Sequence, residues 1–172
     1  MCFACSYLPS ANEVDTAISI YKAVDSAVKS SNTLYQSAQC TRVVDGDTIV
    51  VQMDGSEYKL RYIGIDTPET VDPNRPVGYF GKEASARNKQ LVEGKTLYLE
   101  KDVSDTDKYG RLLRYIYLDI NGDGSKYTMV NSLLVQLGYA KVATYPPDVK
   151  YADLFIKMER EARENNRGLW AE

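Results

Sequence analysis

The sequence predicts an α+β chain that is mainly β: a five-stranded Greek-key barrel with about three attached helices, preceded by an N-terminal helix. Three observations carry this reading. From Gln39 the segments CTRVVDGDTIVVQM and SEYKLRYIGI are rich in β-branched and aromatic residues, and Asp54-Gly55 between them is a tight-turn pair. Two more strand-like runs follow, TLYLEKDV and RLLRYIYLDI, with the helix-forming segment GKEASARNKQLVE placed before the first of them. Short strands in close succession, interrupted by only two or three helices, fit a small barrel of the OB type.

Taken in order, residues 12 to 30 read as a helix, with Val14, Ala17, Tyr21, Val24 and Val28 alternately three and four apart. This weak heptad pattern over residues 14–28 is short for a coiled-coil seam, which wants three or four heptads. A helix lying on the protein's own core, in a monomer, is the plainer reading, with dimerisation the rival. Ser30, Ser31, Asn32 and Ser37 read as a linker, which divides the chain into an extension, residues 1–38, and a barrel domain, residues 39–172. In the first hairpin Leu60, Tyr62 and Ile65 alternate with Lys59, Arg61 and Gly64, so Arg61 should project away from its neighbours' face. Pro68, Pro73 and Pro76 force a loop through residues 67 to 78. The helix from Gly81 should stop at Gly94, NGDG should form a turn, YTMVNSLLVQLGYA a short strand running into a helix, and residues 148 to 166 a closing amphipathic helix.

Composition removes several classes of function. Of 172 residues 44% are hydrophobic, enough for one domain with a sizeable core, and no run of about 18 apolar residues occurs that would span a membrane. Histidine is absent, which excludes imidazole bases, imidazole metal ligands and histidine triads. Chemistry must then fall to carboxylates, Arg, Lys or Tyr. With 21 basic against 24 acidic residues the net charge is −3, which argues against a passive nucleic-acid coat. The same balance suits acids that hold a cation beside arginines that grip a phosphate. The cysteines Cys2, Cys5 and Cys40 lack the ligands for a zinc site. A Cys5 to Cys40 disulfide fits only an oxidising compartment, and FAC before Ser6 is a weak match to the end of a lipoprotein signal.

Two acidic motifs carry the chemistry. Asp45-Gly46-Asp47-Thr48 puts two acids around a glycine inside a strand pair, where they are poor strand formers unless something holds them. Asp66-Thr67-Pro68-Glu69 ends the next strand, so the hairpin should carry Asp47 and Asp66 to one edge, with Arg61 close by. An all-oxygen donor set of this kind favours a hard cation such as calcium over zinc or copper. A second acidic turn, Asp119 to Gly124, copies the first half of an EF-hand loop, but the twelfth position is Val130, and a hairpin turn is the better reading.

At this point VVDGDTIVV, LRYIGIDTPET, GKEASA, DKYGR, MVNSLLVQLGYAKVA and RGLW resemble, in order, the staphylococcal nuclease (thermonuclease) family across about residues 39 to 172. The resemblance implies an OB-fold nuclease that uses Ca2+ to hydrolyse phosphodiesters of DNA and RNA and leaves 3′-phosphates. It implies that Asp47 and Asp66 bind calcium through carboxylates and Thr67 through its carbonyl, and that Glu69 orients or deprotonates the attacking water. It further implies that Arg61 and Arg111 contact the phosphate, and that Lys108 and Tyr109 bind the nucleotide's other phosphate. After AKVA the family's type member carries a base-stacking aromatic where this chain reads Thr144-Tyr145-Pro146-Pro147, so Tyr145 is the substitute one position on. Lys82, Lys89 and Lys157 read as solvated helix charges, and Trp170 as an anchor for the C-terminal end. A nuclease of this breadth endangers its own genome, which favours a secreted or cell-envelope location. The rival reading is a noncatalytic single-stranded nucleic-acid-binding OB module, against which the presence of the whole set of acids and arginines favours the enzyme.

Overall fold

The computed structural model describes residues 35–70 and 78–171. The expected N-terminal helix, its seam over residues 14–28, Cys2, Cys5, Pro73 and Pro76 lie outside the described residues.

Strand β1 (Gln36–Asp45) serves two partners. Its first residues run antiparallel to β5 (Thr96–Glu100), and its later ones antiparallel to β2 (Thr48–Met53). Register shifts between Cys40 and Arg42 and between Val43 and Asp45 supply the bend that lets one strand join both sides. Pairing starts at Gln36, so Ser37, assigned to the linker on composition, lies opposite Tyr98. Strand β3 (Ser56–Tyr62) returns along β2 through Asp54 and Gly55, both at positive φ as a tight hairpin turn requires. Strand β6 (Leu112–Asp119) lies antiparallel to β5 and pairs in parallel with β3, Leu60 to Leu112 and Tyr62 to Arg114, which closes the barrel of five strands. A short β7 (Tyr127–Met129) extends β6 across the Asp119 turn. There the Asp119 carboxylate accepts backbone N–H groups from Asn121, Gly122 and Gly124 at 2.7 to 3.2 Å, the work of a hairpin turn.

The barrel interior is filled by Ile49, Val51, Leu60, Leu97, Leu99 and Ile116, all essentially solvent-free. Three helices cover it. Helix α1 (Gly81–Val92) turns Ala84, Asn88 and Val92 inward against β1; α2 (Val130–Gln136) packs on β6; α3 (Ala152–Glu164) packs on α2 through the Phe155, Met158, Ala162 stripe. Helix α3 is shorter than the sequence suggests: it stops at Glu164, and a 3₁₀ turn, Gly168–Trp170, follows. Cys40 is a buried free thiol on β1, and burial pushes its pKa up to about 11. Trp170 lies under the Arg163 guanidinium at 3.5 Å and 5.7 Å from the Lys141 ammonium.

One feature of the chain was not expected. Asp66 does not end β3; it belongs to a separate two-residue strand, β4 (Ile65–Asp66), paired with β8 (Lys141–Val142). The break falls at Gly64, with φ +79°, where the Phe155 ring of α3 comes within 2.4 Å of the place a Cβ would occupy. Helix packing thus redirects the chain just before the acidic motif.

Asn131 ties these parts together. Fully buried on α2, it donates from Nδ2 to the Ile63 carbonyl and accepts from the Ile116 N–H, both at 2.9 Å. Asn131→Leu leaves two buried backbone groups unpaired, at about 1–3 kcal/mol each. The expected loss, read from chemical denaturation, is about 2–6 kcal/mol with the overall fold retained by circular dichroism.

Candidate active site

Asp47 lies in the turn between β1 and β2 and is fastened through both its backbone and its side chain. Its carbonyl accepts the Tyr62 N–H at 2.9 Å, and its carboxylate accepts the Thr48 hydroxyl at 3.0 Å and the Thr67 N–H at 2.9 Å. The two acidic motifs are thereby joined across 20 residues of sequence. Gly46 makes the approach sterically feasible: a Cβ there would lie 2.6 to 2.8 Å from the Thr67 side chain. Arg61, opposite Thr48 on β3, inserts its guanidinium between the acids, pairing through Nη1 with Asp47 and through Nη2 with Asp66 at 2.7 Å. Burial lowers the pKa of Arg61 and the neighbouring Arg111 charge lowers it further, while Asp66 opposes both. A guanidinium stays charged through all of this.

Glu69 is half-buried on the following loop. The Thr70 N–H donates to its Oε1 at 3.0 Å, and its carbonyl accepts the Gly78 N–H at 2.8 Å. Asp45, assigned no role from the sequence, stands behind this loop. Its Oδ1 accepts the Thr70 hydroxyl and the Gly46 N–H, each at 2.7 Å, and its carbonyl accepts Asn88 Nδ2 at 3.1 Å. Asn88 in turn accepts the Tyr62 hydroxyl at 2.9 Å. Burial, reinforced by the Glu69 charge, raises the Asp45 pKa against the pull of these hydrogen bonds. The only hint in the sequence was that two acids in a strand pair need holding.

The remaining predicted residues sit on a second loop. In DKYGR the Asp107 carboxylate accepts the N–H groups of Tyr109 and Arg111 at 2.9 and 3.0 Å and the Arg111 Nε at 2.6 Å. Burial alone would raise Asp107, but these hydrogen bonds prevail and hold it below the usual carboxylate range. Lys108 and Arg111 flank the exposed Tyr109 ring at 5.0 and 5.6 Å. Tyr145, also exposed, stands on a loop stitched to the start of this one: Asp148 accepts the N–H groups of Val103 and Ser104, and Asp102 accepts the Lys150 N–H and the Tyr115 hydroxyl.

These residues line two adjoining cavities. One, of 240 Å³, is bounded by Asp45, Asp47, Asp66, Thr67 and Glu69; the other, of 580 Å³, by Lys108, Tyr109 and Tyr145. Arg61 and Arg111 line both. All nine residues singled out in the sequence are therefore gathered into one region. Among the described residues no group of three or more His, Cys, Asp or Glu side chains is placed to hold a metal ion. A cation held here would draw on the Asp47 and Asp66 carboxylates with carbonyl and water oxygens. That donor set fits a hard cation: both carboxylates are within reach of a single guanidinium, and among the described residues the buried Thr67 hydroxyl lacks a hydrogen-bond partner.

An OB barrel that gathers carboxylates and two guanidinium groups at one edge defines a hydrolase of the nuclease class. Residues 59–172 match the family model described as staphylococcal nuclease homologue. Thermonuclease of Staphylococcus hyicus is 39% identical over 141 residues, covering 82% of this chain and 79% of the relative. Thermonuclease of Staphylococcus intermedius is 42% identical, covering 75% and 73%. The SPbeta prophage-derived endonuclease YokF of Bacillus subtilis (strain 168) is 44% identical over 76% of this chain and 42% of its own length. A match of 141 residues within 172 necessarily spans the segment from Asp47 to Arg111. The chain belongs to the staphylococcal nuclease family.

Gly46→Ala tests the junction of the two motifs. The added methyl has no room against Thr67, and overpacking of this sort costs about 1–3 kcal/mol. Denaturation should show that loss, and the amide resonance of Thr67 should shift as its bond to Asp47 lengthens. An unchanged Thr67 amide would mean that the approach is not tight.

Proposed function

We propose that the protein is a calcium-dependent nuclease that hydrolyses phosphodiesters of DNA and RNA with little sugar specificity and leaves 3′-phosphate ends. The observation that supports this best is the shared wall: Arg61 and Arg111, like charges close enough to perturb one another, border both the acidic cavity and the aromatic one. Two guanidinium groups so placed are stabilised by an anion between them. A phosphodiester set there would have acids on one side and aromatic faces on the other.

Asp47 and Asp66, with the Thr67 carbonyl, are the residues assigned to Ca2+. When bound, the ion supplies positive charge beside the phosphate, which eases the approach of an anionic nucleophile. Glu69 holds the attacking water and either orients it or takes its proton. The water oxygen bonds to phosphorus while the bond to the 5′ oxygen breaks, so the phosphate stays on the 3′ oxygen and the departing 5′ oxygen takes a proton from solvent to become a 5′-hydroxyl. Arg61 and Arg111 donate to the phosphorus oxygens as their charge grows. Lys108 and Tyr109 bind a neighbouring phosphate, and Tyr145 stacks on a base. None of these interactions reads a base edge, consistent with broad substrate use. A secreted or cell-envelope location follows from that breadth; among the described residues no helix is long and apolar enough to cross a membrane.

Single-stranded DNA and RNA incubated with calcium, magnesium or chelator should be cut only with calcium. Glu69→Gln should lower kcat by about 10²–10⁴-fold, the usual range for a lost acid–base group. Arg61→Ala should lower kcat/KM by about 10²-fold or more. Binding of nucleic acid without cation-dependent cleavage would favour the noncatalytic OB module instead.

A further inference from the structure

A group of aromatic side chains that lines neither cavity adjoins the loop of Glu69. The Gly78 N–H is bonded to the Glu69 carbonyl, and the next residue, Tyr79, is 73% exposed, the most exposed large apolar side chain described. Its ring lies 6.1 Å from that of Phe80, which stacks on Tyr139 at 5.3 Å with an interplanar angle of 28°. Two residues beyond Tyr139 comes Lys141, exposed, directly opposite Asp66 in the β4–β8 pairing, and without an ion pair among the described residues. The group is thus attached to the acidic motif at two independent points, the Glu69 carbonyl and the Asp66 backbone.

We propose that Tyr79, Phe80, Tyr139 and Lys141 form a strand-binding subsite for unpaired bases of the nucleic acid beyond the scissile phosphate. This rests on the nuclease reading. An exposed ring such as Tyr79, backed by the half-buried Phe80 and Tyr139, is the chemistry that holds single-stranded nucleic acid without regard to sequence, since every base has a flat face. The protein carries a net charge of −3, so long-range attraction adds little, and beyond the phosphates held by Arg61, Arg111 and Lys108 a strand gains most from stacking. Tyr79 is the reporter: so exposed a ring can be removed without opening the core. The subsite gives the enzyme a preference for long, unpaired substrates over short ones, because a dinucleotide fills the Arg61–Arg111 site and ends before reaching Tyr79.

The test compares Tyr79→Ala with the unaltered protein on a dinucleotide and on a single-stranded dodecamer. One stacked base is worth about 1–3 kcal/mol, so KM for the dodecamer should rise at least about fivefold while the dinucleotide constants stay within about twofold. Tyr79→Phe, which keeps the ring, should restore the dodecamer KM. Fluorescence anisotropy of the labelled dodecamer in chelator supplies a readout independent of cleavage: Tyr79→Ala should weaken binding by a similar factor, and the deficit should persist as salt is raised. Equal KM shifts on both substrates, or no loss of dodecamer binding, would overturn the subsite. Absence of cleavage of either substrate would overturn the nuclease reading alone, leaving the anisotropy result to decide the subsite.

Discussion

The site depends on Asp47 being held at three points. Its carbonyl anchors β3 through Tyr62, and its carboxylate meets both its own strand at Thr48 and the second acidic motif at Thr67. An acidic side chain that accepts a backbone N–H and a hydroxyl and pairs with Arg61 is tolerated in burial, where a lone carboxylate would have protonated. The geometry requires the chain to pass Thr67 with no side chain at position 46. Take away that close approach and the acids lie on two unconnected turns. Keep it, and Asp66 and Glu69 are brought to one edge by the same contact.

Around this junction the charges are arranged in opposed layers. Asp45, Asp47, Asp66 and Glu69 are gathered together, and their mutual repulsion is met by Arg61, by the Thr70 hydroxyl and by backbone N–H groups. Arg111 borders this cluster and is held by Asp107, whose hydrogen bonds also fix the tip that carries Lys108 and Tyr109. The chain has no histidine, so neither layer carries an imidazole.

Much of this could be read from the chain. The acidic motifs, Arg61 and DKYGR are local strings whose residue types have few other uses together, and the Asp54-Gly55 turn dictates which strands meet. Gly94 and the amphipathic pattern of residues 148 to 166 likewise marked helix positions, although α3 ended earlier than periodicity implied. What escaped were contacts between distant segments. The β4–β8 pairing joins residues some 75 positions apart through only two residues on each side, too short to leave a propensity signal. Asp45 was set aside because its partner, Thr70, lies 25 residues on, and its other support, Asn88, sits 43 residues on in a helix. Ser37 read as linker because serine favours loops, yet the edge of β5 needed a partner strand.

The opposite side of the site is rigid for a different reason. Glu100, at the end of β5, is buried and accepts the Tyr117 hydroxyl at 2.5 Å and the Tyr151 hydroxyl, while the Lys150 ammonium neutralises it. Burial and these bonds to a carboxylate drive the Tyr117 pKa far up, so the phenol remains a donor at every working pH. Beside it Asp102 and Asp148 stitch residues 103–104 to residues 148–150. The two loops that present Tyr109 and Tyr145 are thus fixed at their bases and left open at their tips, where both rings are exposed. Rings held on stitched loops have little freedom left to lose, which on the proposed function would let a chain of acidic balance hold a polyanion.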